Sequence, residues 1–206
     1  MLDIRPELWS HFAPYLTVEA NGRISFNAAQ PGEYWTARQH FIPTSRLWLT
    51  GAEHPQIITD LFIGYSAAEL LCFCSRHPAA VAGHPEQLAL AATGLVPLAE
   101  QVTALAGLFP FARWHLLFGG DLLGRVADTA VALWYKGNPA IFRVTAGQLL
   151  IPYQNRVYEF DERRFSLSVF EKTTGLRAGM RTHKPTGGQT SFIKILTPFA
   201  DDPGTV

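Results

Sequence analysis

The chain has 206 residues, 48% hydrophobic and 17% charged, with 17 Lys+Arg balancing 17 Asp+Glu. That length suits one compact domain with extensions and a sizeable core, and the composition excludes a disordered chain. Apolar runs are broken by Gly, Pro or a charge before about 18 residues, which excludes a transmembrane helix, and the first residues lack the basic-then-apolar pattern of a signal peptide, so a cytoplasmic protein without membrane contact is expected.

Residues 1–52 read as a β-rich lead-in. An amphipathic start over 6–15 precedes turn signals at Asn21-Gly22 and Gln30-Pro31-Gly32, with strand-like stretches at 23–26, 34–37 and 47–50. Asn-Gly between Thr17-Val18-Glu19 and Ile24-Ser25-Phe26 predicts a hairpin. Residues 53–146 alternate strand with helix. The strand Asp60-Leu61-Phe62-Ile63-Gly64 leads into a helix over 66–76, whose Ser66 and Glu69 fit a capping box. A strand over 88–94, a helix over 98–108, a strand over 114–118, a helix over 124–136 and a fourth strand over 140–144 follow. This alternation predicts βαβ crossovers and a central, mostly parallel sheet with helices on both faces. Residues 147–206 return to short strands, at 149–151, 156–160, 165–170 and 192–196, with a mobile stretch expected over 186–191 and a frayed end over 201–206. Cys72 and Cys74 point to different sides of a helix, so core packing is expected rather than a disulfide or metal pair. No Cys/His set has zinc spacing, and the seven histidines are scattered.

The first and third strands of the alternating region run into Tyr65-Ser66-Ala67-Ala68-Glu69-Leu70-Leu71 and Gly119-Gly120-Asp121-Leu122-Leu123-Gly124-Arg125. Two such turns lie along one edge of a parallel sheet, where open α/β folds bind ligands. Their order, with Leu90-Ala91-Ala92-Thr93-Gly94 between them and Gly32-Glu33-Tyr34-Trp35-Thr36-Ala37-Arg38 upstream, resembles the Toprim domain of primase-like proteins of mobile elements. The resemblance covers about ninety residues and implies a Toprim/Rossmann-like sheet. In that family the turns carry a glutamate and an Asp-x-Asp pair that hold magnesium. Here the glutamate position is Tyr65 and the first aspartate position is Gly119, while Asp121 and Gly124 are retained.

Magnesium is hard, octahedral and oxygen-seeking, and metal-dependent strand chemistry needs clustered carboxylates. The expectation is therefore a degenerate Toprim-like protein that binds nucleic acid or acts as a scaffold in replication or mobilisation of a mobile element, without magnesium-dependent catalysis. Its partners would be DNA, single-stranded in particular, and a replication or mobilisation protein; no cofactor is expected. One alternative is an active, atypical Toprim enzyme using Asp121 as a magnesium ligand and Glu69, one helical turn after Tyr65, as the replacement carboxylate. Against it, Glu69 can simply cap its helix and Asp121 can simply start one. Another alternative is a Rossmann-like protein that binds a small molecule or partner. Gly119, Gly120 and Gly124 would allow phosphate to approach the edge in any of these cases.

Charge is unevenly spread. Residues 1–162 hold 10 basic and 14 acidic groups, whereas residues 163–194 hold seven basic groups against Glu171. Arg163, Arg164, Lys172, Arg177, Arg181 and Lys184 are the candidate nucleic-acid contacts. The aromatic residues among them, Tyr153, Tyr158, Phe160, Phe165 and Phe170, are expected to serve mostly as core.

Overall fold

The computed structural model describes residues 2, 4–26, 32–78, 85–186 and 189–193. Gln30 and Pro31 of the expected turn, Gly187 and Gly188, Lys194, residues 194–196 of the expected last strand, and residues 201–206 lie outside the described residues. The described residues form a mixed α/β structure with three sheets.

Helix α1, Pro6–Phe12, starts on proline, whose missing N–H costs nothing at a helix start. It buries Leu8 and Phe12, four apart on one face. A short 3₁₀ turn leads to the hairpin of β1 (Leu16–Val18) and β2 (Ile24–Phe26), closed as its Asn-Gly signal predicts, with Gly22 at a φ of 81°. Strands β3 (Tyr34–Trp35) and β4 (His40–Phe41) extend this antiparallel sheet.

The central sheet has the order β12-β8-β6-β7-β5. Here β5 is Trp48–Leu49, β6 is Asp60–Gly64, β7 is Leu88–Ala92, β8 is Arg113–Leu116 and β12 is Arg181–Thr182. The pairs β6/β7, β6/β8 and β8/β12 are parallel and β5/β7 is antiparallel, so the sheet is mixed. Strand β6 reads as an unbroken apolar run because both faces are covered. Phe62 turns to helix α2 (Ala67–Arg76), α1 and the N-terminal sheet, while Leu61 and Ile63 turn to α3 (Ala99–Leu108) and α4 (Leu122–Tyr135). Strand β7 divides in the same way, Leu88 and Leu90 to the first side, Ala89 and Ala91 to the second. Burying a side chain such as Phe62 contributes about 1.5–3 kcal/mol, so these two cores carry the fold. Cys72 and Cys74 are fully buried thiols outside any disulfide among the described residues, and burial pushes the Cys74 thiol up to about 12.

Two expected elements take other forms, and Phe192 and Ile193, the described residues of the expected last strand, lie in no strand. The expected fourth strand of the parallel series appears as β9 (Arg143–Thr145), which pairs antiparallel with β10 (Gln148–Tyr153) in a separate sheet completed by β11 (Arg156–Asp161). The tight turn through Ala146 and Gly147, both at positive φ, folds β9 onto β10, and the place beside β8 goes to β12. The expected strand over 165–170 is instead helix α5, Leu167–Thr174, capped by Ser166 and ended by Gly175 at a φ of 81°. Its buried residues, Leu167 and Phe170, are three apart, while Val169 faces outward. A third core holds Tyr153, Phe160, Phe165 and Phe170, with Tyr158 packed against it, so the tail aromatics are structural.

Candidate site at the carboxyl edge of the central sheet

The chain runs from β6 to β7 on one side and then returns to β8 on the other, so the carboxyl ends of β6 and β8 meet where the winding reverses. Crevices of this kind are where open α/β sheets take ligands. Tyr65 leaves β6 and Gly119-Gly120-Asp121 follow β8, the two turns that the sequence singles out.

At the β6 end, Ser66 caps α2 by accepting the Glu69 N–H at 3.2 Å. The other half of the expected capping box is replaced, because the Glu69 carboxylate accepts from the Ser191 hydroxyl at 2.5 Å instead. Burial raises the Glu69 carboxyl above its usual range against that hydrogen bond, and Glu33 and Asp121 add repulsion. A carboxylate not foreseen from the sequence, Glu33, is 4% exposed and accepts from the Ala67 N–H (2.7 Å), the Ala68 N–H (3.1 Å) and the Ser66 hydroxyl (2.6 Å). His40 Nε2 lies 2.9 Å from the same carboxylate. Helix N-termini attract anions, and here the seat at α2 is filled from within. The only trace of Glu33 in the sequence is its place in the Gly-Glu-Tyr stretch before the alternating region.

Between the two ends stands Tyr65, its ring edge-on to Phe118 at 4.8 Å. Burial, and then the negative charges of Asp121, Asp128 and Glu69, push its hydroxyl well above the usual tyrosine range, so it stays neutral. At the β8 end Asp121 is exposed and its Oδ1 accepts from the Gly124 N–H at 2.8 Å, capping α4. Gly124 is required because a Cβ there would collide with the Gly119 carbonyl, and a Cβ on Gly119 would lie 2.9 Å from the Thr190 carbonyl oxygen. Gly120 sits 3.3 Å from the Gln189 carbonyl by the same measure, so the described backbone already crowds all three glycines.

Lys184 is not a free surface cation. Its ammonium donates to the carbonyls of Phe118 (2.9 Å) and Gly119 (3.0 Å) and pairs with Asp128 Oδ2 at 2.6 Å. All three N–H groups are thereby used at the carboxyl end of β8. Asp128 is 1% exposed, and burial pushes its carboxyl up to about 7 even though Lys184 pulls the other way. The residues present do not fit magnesium. Tyr65 and Gly119 supply no carboxylate, Asp121 gives Oδ1 to the cap of α4, the buried Glu69 carboxyl is raised and bonded by Ser191, and the Lys184 ammonium already serves Asp128 and the Phe118 and Gly119 carbonyls. Among the described residues, no group of three or more His, Cys, Asp or Glu side chains is placed to hold a metal ion.

Of the other basic candidates, Arg163 and Arg164 lie in the turn before α5, Lys172 in its last turn, Arg177 after it and Arg181 in β12. All five are exposed, and among the described residues none forms an ion pair. With Glu171 they give residues 163–183 a balance of five positive charges to one negative.

A second polar chain crosses the sheet face away from this edge. Asp60 Oδ1 lies 2.9 Å from His115 Nε2, and His115 Nδ1 lies 2.9 Å from His183 Nε2. Arg113 and Thr59 bond the other Asp60 oxygen at 2.7 and 2.9 Å. Burial pushes Asp60 up, but the hydrogen bonds from Arg113 and His115 outweigh it and hold the carboxyl below its usual range. Burial lowers both histidines, His183 to about 4 with help from the His115 and His77 charges. Phe62 stacks on His115 at 4.3 Å, which puts both on the α2 side of the sheet. Scattered histidines give no sign of such a pairing, since His115 and His183 meet only through the β8/β12 contact.

Among the described residues, no helix is long and apolar enough to cross a membrane. A scan against family models and searches of curated proteins and of solved structures find no match to this chain.

Proposed function

We propose that this protein is a degenerate Toprim-like module that binds single-stranded DNA through the basic surface of residues 163–181, in replication or mobilisation of a mobile element and without magnesium-dependent catalysis. The observation that carries the reading is the set of five exposed cations, Arg163, Arg164, Lys172, Arg177 and Arg181, none in an ion pair among the described residues, in a chain of zero net charge. An exposed Arg or Lys with no carboxylate partner is free to neutralise phosphate and release counterions. The tail aromatics are buried, so stacking adds little and binding is sequence-tolerant.

Support for the Toprim-like part comes from the parallel β8-β6-β7 order, with Tyr65 and Gly119-Gly120-Asp121 at adjacent carboxyl ends. Support for the absence of metal chemistry comes from Lys184, whose tethered charge serves the carbonyl and carboxylate oxygens at that edge. The test is fluorescence anisotropy of a labelled single strand in the presence of a chelator. Binding is expected for the native protein and is lost when Arg163, Arg164, Arg177 and Arg181 are replaced together by Ala. Unchanged affinity in that variant would overturn the assignment of the surface. Strand cleavage or primer synthesis on adding magnesium, abolished by Asp121→Asn, would restore the enzyme reading.

A further inference from the structure

The chain of Asp60, His115 and His183 joins three strands, β6, β8 and the edge strand β12, and its protons can be placed one by one. Asp60 is held ionised and a carboxylate only accepts, so His115 carries its proton on Nε2. Neutral His115 then presents a bare Nδ1, and His183 must donate to it from Nε2 across 2.9 Å. The remaining nitrogen, His183 Nδ1, has no hydrogen bond among the described residues. Nor is it sealed, since the buried nitrogens without a partner there are Arg23 Nε, Trp114 Nε1 and Arg125 Nε.

A first added proton enters at that open atom. The Nε2 proton of His183 can then pass to His115 Nδ1, which sets an imidazolium directly against the Asp60 carboxylate. In either position one proton still lies between the rings, and the bond survives. A second added proton leaves two donors facing each other at 2.9 Å with no acceptor between them. The charged groups that face the pair are Asp60 on β6, Arg113 on β8, Arg181 on β12 and His77 after α2, so a single carboxylate meets a positive surrounding. Phe62 and Phe73 offer His183 only apolar rings, at 6.1 and 5.0 Å.

Strand β12 has little else to hold it. It is two residues long, both exposed, and pairs with β8 alone. The His183 N–H continues the pairing to the Leu116 carbonyl at 2.8 Å. The next side-chain tie along the chain is Lys184 to Asp128, and acid weakens it too, because a carboxyl raised to about 7 is neutral below that pH.

We propose that the His115–His183 pair is an acid-operated latch on β12, which holds with no added proton or with one and opens with two, while the rest of the central sheet stays folded. Arg181 rides on β12, so the latch also sets the place of one cation of the basic surface, whether or not that surface meets DNA.

NMR on the full chain tests this in two ways. Imidazole nitrogen shifts near pH 7 should show both rings protonated on Nε2; a proton on His183 Nδ1 at that pH would overturn the assignment. Native-state amide exchange between about pH 6.5 and 4.5 then follows the opening. The His183 amide should be at least about tenfold less protected than those of Thr93 and Leu117, which bond the Gly64 and Ile63 carbonyls. The gap should widen about tenfold or more per pH unit below about 6, because the His183 ring is held down to about 4 when closed and recovers a value near 6.5 when released. In His183→Gln, which keeps a hydrogen-bonding side chain and removes the titration, the gap should lose its pH dependence. Equal protection of the three amides at every pH would mean that β12 opens only with the whole fold, and would overturn the latch. A gap that widens as steeply in His183→Gln would overturn it as well.

Discussion

Replacing Lys184 with Met removes the ammonium and keeps most of the stem. The change strands a carboxylate that is 1% exposed and leaves the Phe118 and Gly119 carbonyls without their donor. Breaking a buried ion pair from one side costs about 3–5 kcal/mol. The lysine side chain is 31% exposed and water reaches part of it, so about 2–3 kcal/mol is expected. The cost must depend on pH. Asp128 has a folded value raised to about 7, so its contribution is complete below the unfolded carboxylate value and is lost as pH rises through 7. Without Lys184 its folded value climbs further, and the loss extends to higher pH. Urea unfolding followed by circular dichroism at about pH 5.5 and about pH 8 should therefore show the larger penalty at the higher pH. Adding Asp128→Asn to Lys184→Met should recover about 1–2 kcal/mol relative to the sum of the single changes. A penalty below about 0.5 kcal/mol at about pH 8, or strict additivity of the two changes there, would refute the claim that Lys184 neutralises Asp128.

Protonation of His183 should destabilise the fold in acid. Its folded value is depressed to about 4, so its contribution is complete above the unfolded value near 6.5 and is lost as pH falls towards 4. Allowing for its partial exposure, about 1–2 kcal/mol is at stake, and His115 acts in the same direction. Asp128 runs oppositely over this window, so the urea midpoint is best followed in Asp128→Asn. There it should fall with acid, and His183→Asn should blunt the fall; a midpoint insensitive to His183→Asn would contradict the reading. Gly124→Ala drives a Cβ into the Gly119 carbonyl and should cost about 3 kcal/mol in the same assay. A neutral result would mean that the turn after β8 is not held against α4.

The central strands were legible because β6, β7 and the adjoining part of β8 are covered on both faces and so read as continuous apolar runs. Helices α2 and α4 announced themselves through Ser66 and Asp121, each of which accepts the backbone N–H three residues on. Helix α5 was not legible as a helix. Phe165, Leu167 and Val169 mimic strand alternation, while Leu167 and Phe170 are equally a helical face, and only packing against β10 and β11 decides between them. Strand β9 was misplaced because a local turn at Ala146-Gly147 overrode the regular alternation. At the site, the sequence located both turns and the basic stretch but not what closes them. Glu33 reaches Ser66 from the N-terminal sheet and Lys184 reaches Asp128 from beyond β12, and no local pattern encodes contacts of that range. Lys184 looked like one more surface cation and is instead the internal partner of a buried acid.

The salt dependence of single-strand binding tests the central claim most directly. With a chelator present throughout, log K plotted against log salt should fall linearly, with a slope of about −3.5 if all five cations meet phosphate, shallower by about 0.7 for each one removed. Absence of binding at low salt, or a slope unaffected by Arg163→Ala, Arg164→Ala, Arg177→Ala and Arg181→Ala, would contradict a nucleic-acid role for this surface.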